Sequence, residues 1–282
     1  MIETTNLTRY FYSRNRLFRR KTDGRFAACE DVSISIADGE IFGLVGESGS
    51  GKSTFANMLL MLLRPSFGEI RIDGQDIAGI SGRRALMDVR RKIQYVPQYS
   101  GASLNPHMRL EDIITEPLRN FGLPYRNKAA ELLEVVGLPT DWNRRRPAQL
   151  SGGQRQRVAV ARAIAINPKA LVLDEVTSSL DVITAGGIIK MLGSINREFD
   201  TSMLFITHDI SLADRFCRRK GVMKAGRLIE VTGDLTKAEN EYTKELVRAA
   251  NSRKFRKEKN NEKGRIIPIA IRNVSACPVG VW

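Results

Sequence analysis

Hydrophobic and polar positions follow one rhythm at the start of the chain, a second in its middle, and the first again near its end. Val32, Ile34 and Ile36 alternate with Ser33 and Ser35, and Glu69-Ile70-Arg71-Ile72 repeats the pattern, which predicts half-buried strands. Asp38-Gly39 and Asp73-Gly74 follow as hairpin-type turn signals. Ile41–Val45, Ala170–Leu173 and Met203–Ile206 are short apolar runs, the form taken by strands buried on both faces of a parallel sheet. Ile93-Gln94-Tyr95-Val96 is a further strand, stopped by Pro97. Phe55, Met58, Leu59 and Leu62 fall on one face of a helix predicted after the first apolar run. From about Leu110 to Asn167 the period becomes helical throughout. Ile113, Ile114 and Leu118 mark one helix, and Leu132, Leu133 and Val136 a second that Gly137-Leu138-Pro139 closes. Ser151 caps a third, which turns Val158, Ala161 and Ala165 inward. The pattern is α/β, interrupted by a helical block.

Charge adds one question. The formal net charge is +14 over 282 residues, but the excess is concentrated between Arg14 and Lys21 and again between Arg253 and Arg265. Each cluster holds a single phenylalanine, Phe18 and Phe255, short of an interleaved stacking platform, so base stacking is not expected and nucleic acid is not the expected partner. No apolar run approaches the ~20 residues of a membrane-spanning helix, and Met1–Leu7 lacks the features of a signal peptide. A cytoplasmic protein is expected. Cys29, Cys217 and Cys277 show no metal-ligand spacing and read as incidental thiols. The segment beyond Arg253 is expected to be poorly ordered, and Ser13–Gly24 to be an inserted loop.

The chemistry centres on Gly46, Glu47, Ser48, Gly49, Ser50, Gly51, Lys52, Ser53 and Thr54, which fit G-x-x-x-x-G-K-[ST] between a strand and a helix. Glycines let backbone N–H groups converge on phosphate oxygens, and the helix start adds partial positive charge. Lys52 is placed to reach the outer phosphates, and the Ser53 hydroxyl to ligate Mg²⁺. Asp174 ends a buried strand, where a carboxylate supports that ion. Glu175 follows it, free to orient or deprotonate a water. His208 ends the other apolar run, at the rim where ligands bind in open α/β sheets, and is expected to contact the γ-phosphate. Gln98 follows the Ile93–Val96 strand, so its amide is available to the Mg²⁺ shell or to the water. Leu150, Ser151, Gly152, Gly153 and Gln154 set a hydroxyl, two bare backbone units and an amide at a helix start, a second anion-binding device.

Assembled, these motifs resemble the ATP-binding cassette (ABC) ATPases, and the resemblance covers Leu7 to Ala250. Gly46–Thr54 matches the Walker A loop, Ala170–Glu175 the Walker B strand and Leu150–Gln154 the signature pentapeptide. Gln98 matches the Q-loop, Ser178–Asp181 the D-loop and His208 the switch histidine. Val176 stands where the family usually has proline, and Ser179 where it has alanine. The resemblance implies a P-loop (RecA-like) nucleotide-binding domain with an antiparallel β-subdomain and an inserted helical subdomain. Residues 1–98 and 168–235 would form the core, 99–167 the helical subdomain and 236–282 a C-terminal extension. It further implies ATP and Mg²⁺ as ligands, with Lys52, Glu175 and His208 catalytic and Ser53, Gln98 and Asp174 around the metal. Ser151, Gly152, Gly153, Gln154 and Asp181 would serve the site of an opposing cassette. Tyr12 is the first choice for stacking on adenine, with Phe11 and Phe26 beside it.

Ser103-Leu104-Asn105-Pro106 and Glu241–Val247 look like the peptide and nickel importer branch of that family. That likeness implies a second, non-identical cassette, two transmembrane permease subunits and, indirectly, an extracellular solute-binding protein, with this chain on the cytoplasmic face of the membrane. A soluble cassette driving a non-transport complex, of the carbon–phosphorus lyase type, is the alternative expectation.

Overall fold

The computed structural model describes residues 1–12 and 25–250. The predicted Ser13–Gly24 loop, both basic clusters, Cys277 and the segment beyond Arg253 lie outside them. The chain begins with β1 (Ile2–Tyr12), β2 (Arg25–Ile36) and β3 (Ile41–Val45), followed by α1 (Lys52–Leu59). Next come β4 (Phe67–Ile72), β5 (Gln75–Asp76), α2 (Arg83–Lys92) and β6 (Ile93–Val96). The helical block holds α3 (Ser100–Ser103), α4 (Leu110–Asn120), α5 (Lys128–Val135) and α6 (Gly152–Ile164). Strand and helix then alternate through β7 (Ala170–Asp174), α7 (Val182–Phe199), β8 (Ser202–Thr207) and α8 (Ile210–Phe216), ending in β9 (Arg219–Lys224) and β10 (Arg227–Thr232). Residues 241–250 are helical.

Two sheets result. One is antiparallel in the order β2-β1-β4-β5. The other runs β10-β9-β3-β8-β7-β6, parallel except for the β9–β10 hairpin. The parallel sheet separates two apolar cores by simple alternation. Leu171, Leu173, Met203 and Phe205 face the helical block, whereas Val172, Leu204 and Ile206 face α1 and the antiparallel sheet. Strands buried on both faces explain why the sequence shows runs there rather than alternation.

The two Asp-Gly signals diverge. Asp73-Gly74 makes a two-residue hairpin, with φ of 52° and 76° and Ile72 opposite Gln75. Asp38-Gly39 turns the chain but joins β2 to β3, which belong to different sheets, so no hairpin forms there. The hairpin of this region is β1–β2. The first helix also stops short of expectation. It ends at Leu59, Met61 takes φ 52°, and Leu62 is 58% exposed instead of sharing the buried face of Phe55, Met58 and Leu59.

Two ionic contacts tie β9 into place. Arg219 forks onto Glu40 at 2.8 Å through both Nε and Nη2. Lys220 is 1% exposed, and its ammonium lies 3.0 Å from Asp214 of α8 and donates to the Gly233 carbonyl at 2.6 Å. Asp214→Ala leaves that buried cation without its counter-charge, at an expected cost of about 3 kcal/mol. Denaturant unfolding of the variant checks this, and a loss under about 1 kcal/mol would refute it.

Candidate functional site

The ends of β3, β7 and β8, with the segment after β6, open into one cleft of about 970 Å³. The phosphate-loop sequence lines its floor, from Gly46 to Gly49 and from Gly51 to Thr54. Gly46 takes φ 150°, and a Cβ there would sit 2.3 Å from the Met223 carbonyl oxygen, so only glycine lets the loop leave β3 beside β9. Ser50 is buried, and its carbonyl accepts from Gly226 N–H. Lys52 is buried too. Its ammonium donates to the carbonyls of Gly46 and Glu47, both at 2.8 Å, and to Ser50 Oγ at 3.2 Å, which pins it to the loop. Burial holds the Lys52 ammonium below its ordinary pKa, and the carboxylates of Glu175, Asp174 and Glu47 oppose that shift.

Glu175 organises the opposite rim. It takes φ 48°, a left-handed conformation that costs a non-glycine residue on the order of 1 kcal/mol. Neighbours hold it there. Its N–H donates to the Ile206 carbonyl at 2.9 Å, and its own carbonyl accepts from Ser178 N–H and Oγ. The side chain is thereby met by Gln98 Nε2 at 2.8 Å and by His208 Nδ1 at 3.3 Å. Gln98, Glu175 and His208 all line the cleft with Lys52 and Ser53.

Asp174 is buried at the end of β7, and Tyr95 of β6 donates its hydroxyl to Asp174 Oδ2 at 3.1 Å. Burial raises the Asp174 carboxyl above its ordinary range, and Glu175 adds to the rise, while Tyr95 and Lys52 oppose it. Burial likewise raises the Tyr95 hydroxyl, with Asp174 contributing. The cleft lining offers the Ser53 hydroxyl, the Gln98 amide and the Glu175 carboxylate, with Asp174 behind it and not itself a lining residue, all hard oxygen ligands. Among the described residues no cluster of three or more His, Cys, Asp or Glu side chains forms a metal cage. Such a set suits Mg²⁺, which is bound through one or two carboxylates together with substrate phosphates and water.

Some expected residues lie elsewhere. Tyr12 is 73% exposed and does not line the cleft, whereas Phe11 and Phe26 do. Strand alternation is the reason. Phe11 pairs with Phe26 across β1–β2, while Tyr12 pairs with Arg25 on the other face, where the Arg25 guanidinium stacks on Tyr10. Ser151, Gly152, Gly153 and Gln154 start α6 and are not in the cleft. Ser151 Oγ accepts from Gln154 N–H and Gln154 Oε1 accepts from Ser151 N–H, so both also form a capping box. Gly153 abuts α7, where a Cβ would meet Thr184 Cγ2 at 2.3 Å. Asp181 caps α7, accepting from Ile183 N–H, Thr184 N–H and Thr184 Oγ1.

Other lining residues lie outside the nucleotide-binding motifs. These are Ala28, Ile210, Leu246, Ala249 and Ala250. The Tyr95 contact was visible only as an aromatic in a strand ending near Gln98. Its partner depends on β6 lying beside β7.

The sequence model of the family described as ABC transporter matches residues 29–178. Over 237 residues the chain is 40% identical to the oligopeptide transport ATP-binding protein AppF of Bacillus subtilis (strain 168), spanning 83% of this chain and 72% of that protein. It is 41% identical over 256 residues to the glutathione import ATP-binding protein GsiA of Escherichia coli (strain K12), spanning 88% of this chain and 41% of that longer protein. Its fold is similar to the dimeric post-hydrolysis state of the ATP-binding cassette MJ0796 bound to ADP and Pi. There the TM-score is 0.71 at 30% identity, over 83% of this chain and 98% of that one.

Tyr95→Phe removes one hydrogen bond from Asp174 and nothing from the phosphate loop. The expected result is about a tenfold rise in the Mg²⁺ concentration that half-saturates nucleotide binding, with metal-free binding unchanged. A titration with a fluorescent ATP analogue checks this, and an unshifted Mg²⁺ midpoint would contradict it.

Proposed function

The chain belongs to the ABC transporter family, and from that premise we propose that it is the ATP-hydrolysing subunit of an importer for peptides or a related small solute. The observation that carries the catalytic part is the convergence of Lys52, Gln98, Glu175 and His208 on one cleft floored by the phosphate loop. The import part rests on relatives at about 40% identity, AppF and GsiA, whose names denote oligopeptide transport and glutathione import. The non-transport alternative has no comparable support.

In this reading the loop N–H groups and Lys52 bind the outer phosphates and hold charge that builds up as the terminal phosphoryl group leaves. Mg²⁺, when bound, would supply positive charge against the phosphates. Ser53, Gln98 and Asp174 would hold it, and Tyr95 would orient Asp174. Glu175 orients the attacking water and draws its proton, and Gln98 and His208 fix that carboxylate from two sides. Phe11 and Phe26, rather than Tyr12, would face the base.

Ser151–Gln154 and Asp181 lie outside the chain's own cleft, which supports their service to a second cassette. Residues 1–98 and 168–235 form the nucleotide core in this account, 99–167 the helical subdomain and 236–282 the extension. No helix among the described residues is long and apolar enough to cross a membrane. In the importer reading, which rests on the relatives' names, the channel belongs to two permease subunits, with this chain peripheral on the cytoplasmic face and a solute-binding protein outside. Differential affinity for ATP between open and closed cassette pairs would drive transport.

Glu175→Gln is expected to slow hydrolysis at least about a hundredfold while retaining ATP. Captured from solubilised membranes with ATP, that variant should bring down two polytopic membrane proteins and a second cassette. Recovery of soluble enzymes alone would overturn the importer assignment.

A further inference from the structure

The β1–β2 pair and the last described helix meet at the phosphate loop. β1 and β2 bring Phe11, Phe26 and Ala28 to the cleft, and the helix over residues 241–250 brings Leu246, Ala249 and Ala250. This helix is also fastened to the body of the protein. Tyr242, Leu246, Val247 and Ala250 pack against the larger core, and Thr243 is buried. The Lys224 ammonium sits 4.0 Å from the centre of the Tyr242 ring. Lys224 is the last residue of β9, next to Met223, whose carbonyl crowds Gly46. Burial, with the Glu47 carboxylate contributing, raises the Tyr242 hydroxyl above its ordinary pKa. The helix is thus anchored to the strand and loop that shape the phosphate floor, with an aliphatic edge left facing the cleft.

Chemistry separates the lining into two kinds. Lys52, Ser53, Gln98, Glu175 and His208 are polar and suit phosphates, a metal and water. The groups that the helix contributes are aliphatic, small at Ala249 and Ala250, and offer a phosphate nothing. A purine nucleoside is the part of a nucleotide that gains from them, because its faces and its ribose edge carry apolar surface.

We propose that the helix over residues 241–250 is a binding wall of the nucleotide site, with Leu246, Ala249 and Ala250 joining Phe11 and Phe26 to enclose the nucleoside half of ATP. The proposal rests on the nucleotide reading of the cleft. It makes the C-terminal helix a determinant of affinity for the base and sugar, and leaves the phosphates to the loop.

Displacement of a fluorescent ATP analogue by ATP and by inorganic tripolyphosphate, in wild type and two variants, tests it. Ala249 is exposed, so Ala249→Phe projects bulk into the cleft and not into the core. It should weaken ATP about tenfold or more and tripolyphosphate less than about twofold. Leu246→Ala, which removes apolar surface from the cleft and part of the helix's core contact, should weaken ATP about threefold and leave tripolyphosphate unchanged. ATP affinity that is unchanged in both variants overturns the wall, and so does parallel weakening of both competitors, which would mean the helix acts only through the phosphate loop. Wild-type protein that fails to bind ATP overturns the nucleotide reading itself.

Discussion

Everything at the site depends on the register of the parallel strands. Val45 of β3 lies opposite Thr207 of β8, Asp174 of β7 opposite Ile206, and Val96 of β6 opposite Leu173. Neighbouring strands lie about 4.8 Å apart, so the residues that follow their ends emerge side by side on one rim. Gly46, Gln98, Glu175 and His208 come from points far apart in sequence and meet because four strands end together. The same register sends alternate side chains into two cores, and a one-residue slip would turn both cores inside out. Packing of the whole sheet therefore enforces the alignment of the rim.

The rim itself is not a relaxed structure. A buried lysine, a buried aspartate and a glutamate with positive φ are held together by contacts from outside the reacting set. Loop carbonyls pin Lys52, Tyr95 holds Asp174, and Ile206 and Ser178 fix the backbone of Glu175. Burial works against the charge on Lys52 and Asp174, and the opposite charges of the same cluster partly restore it. A phosphate chain and its cation would complete that balance, which is why the cleft reads as preorganised for them.

Motif spacing made most of this legible. The phosphate loop, Asp174-Glu175 and His208 each follow an apolar run, and a buried strand followed by a polar residue is a pattern that local sequence states directly. What spacing did not convey was anything that depended on which strands become neighbours. Asp38-Gly39 has hairpin chemistry, yet the chain crosses there between sheets, because Ile41–Val45 finds better burial beside β8 and β9. Tyr12 lies off the cleft for a related reason, since the face that each strand residue presents depends on the β1–β2 register. The Tyr95–Asp174 bond and the approach of residues 241–250 are tertiary facts with no local signal. Leu62 was misplaced because the helical period continues past Leu59 while the backbone turns at Met61.

The central claim is that this rim cleaves ATP with groups gathered by strand register. Single-turnover cleavage of ATP by His208→Ala, with bound nucleotide quantified in the same sample, tests it most directly. His208 is exposed and meets Glu175 at 3.3 Å, so occupancy should stay near wild type while cleavage slows at least about a hundredfold. Cleavage at the wild-type rate with full occupancy would contradict the account.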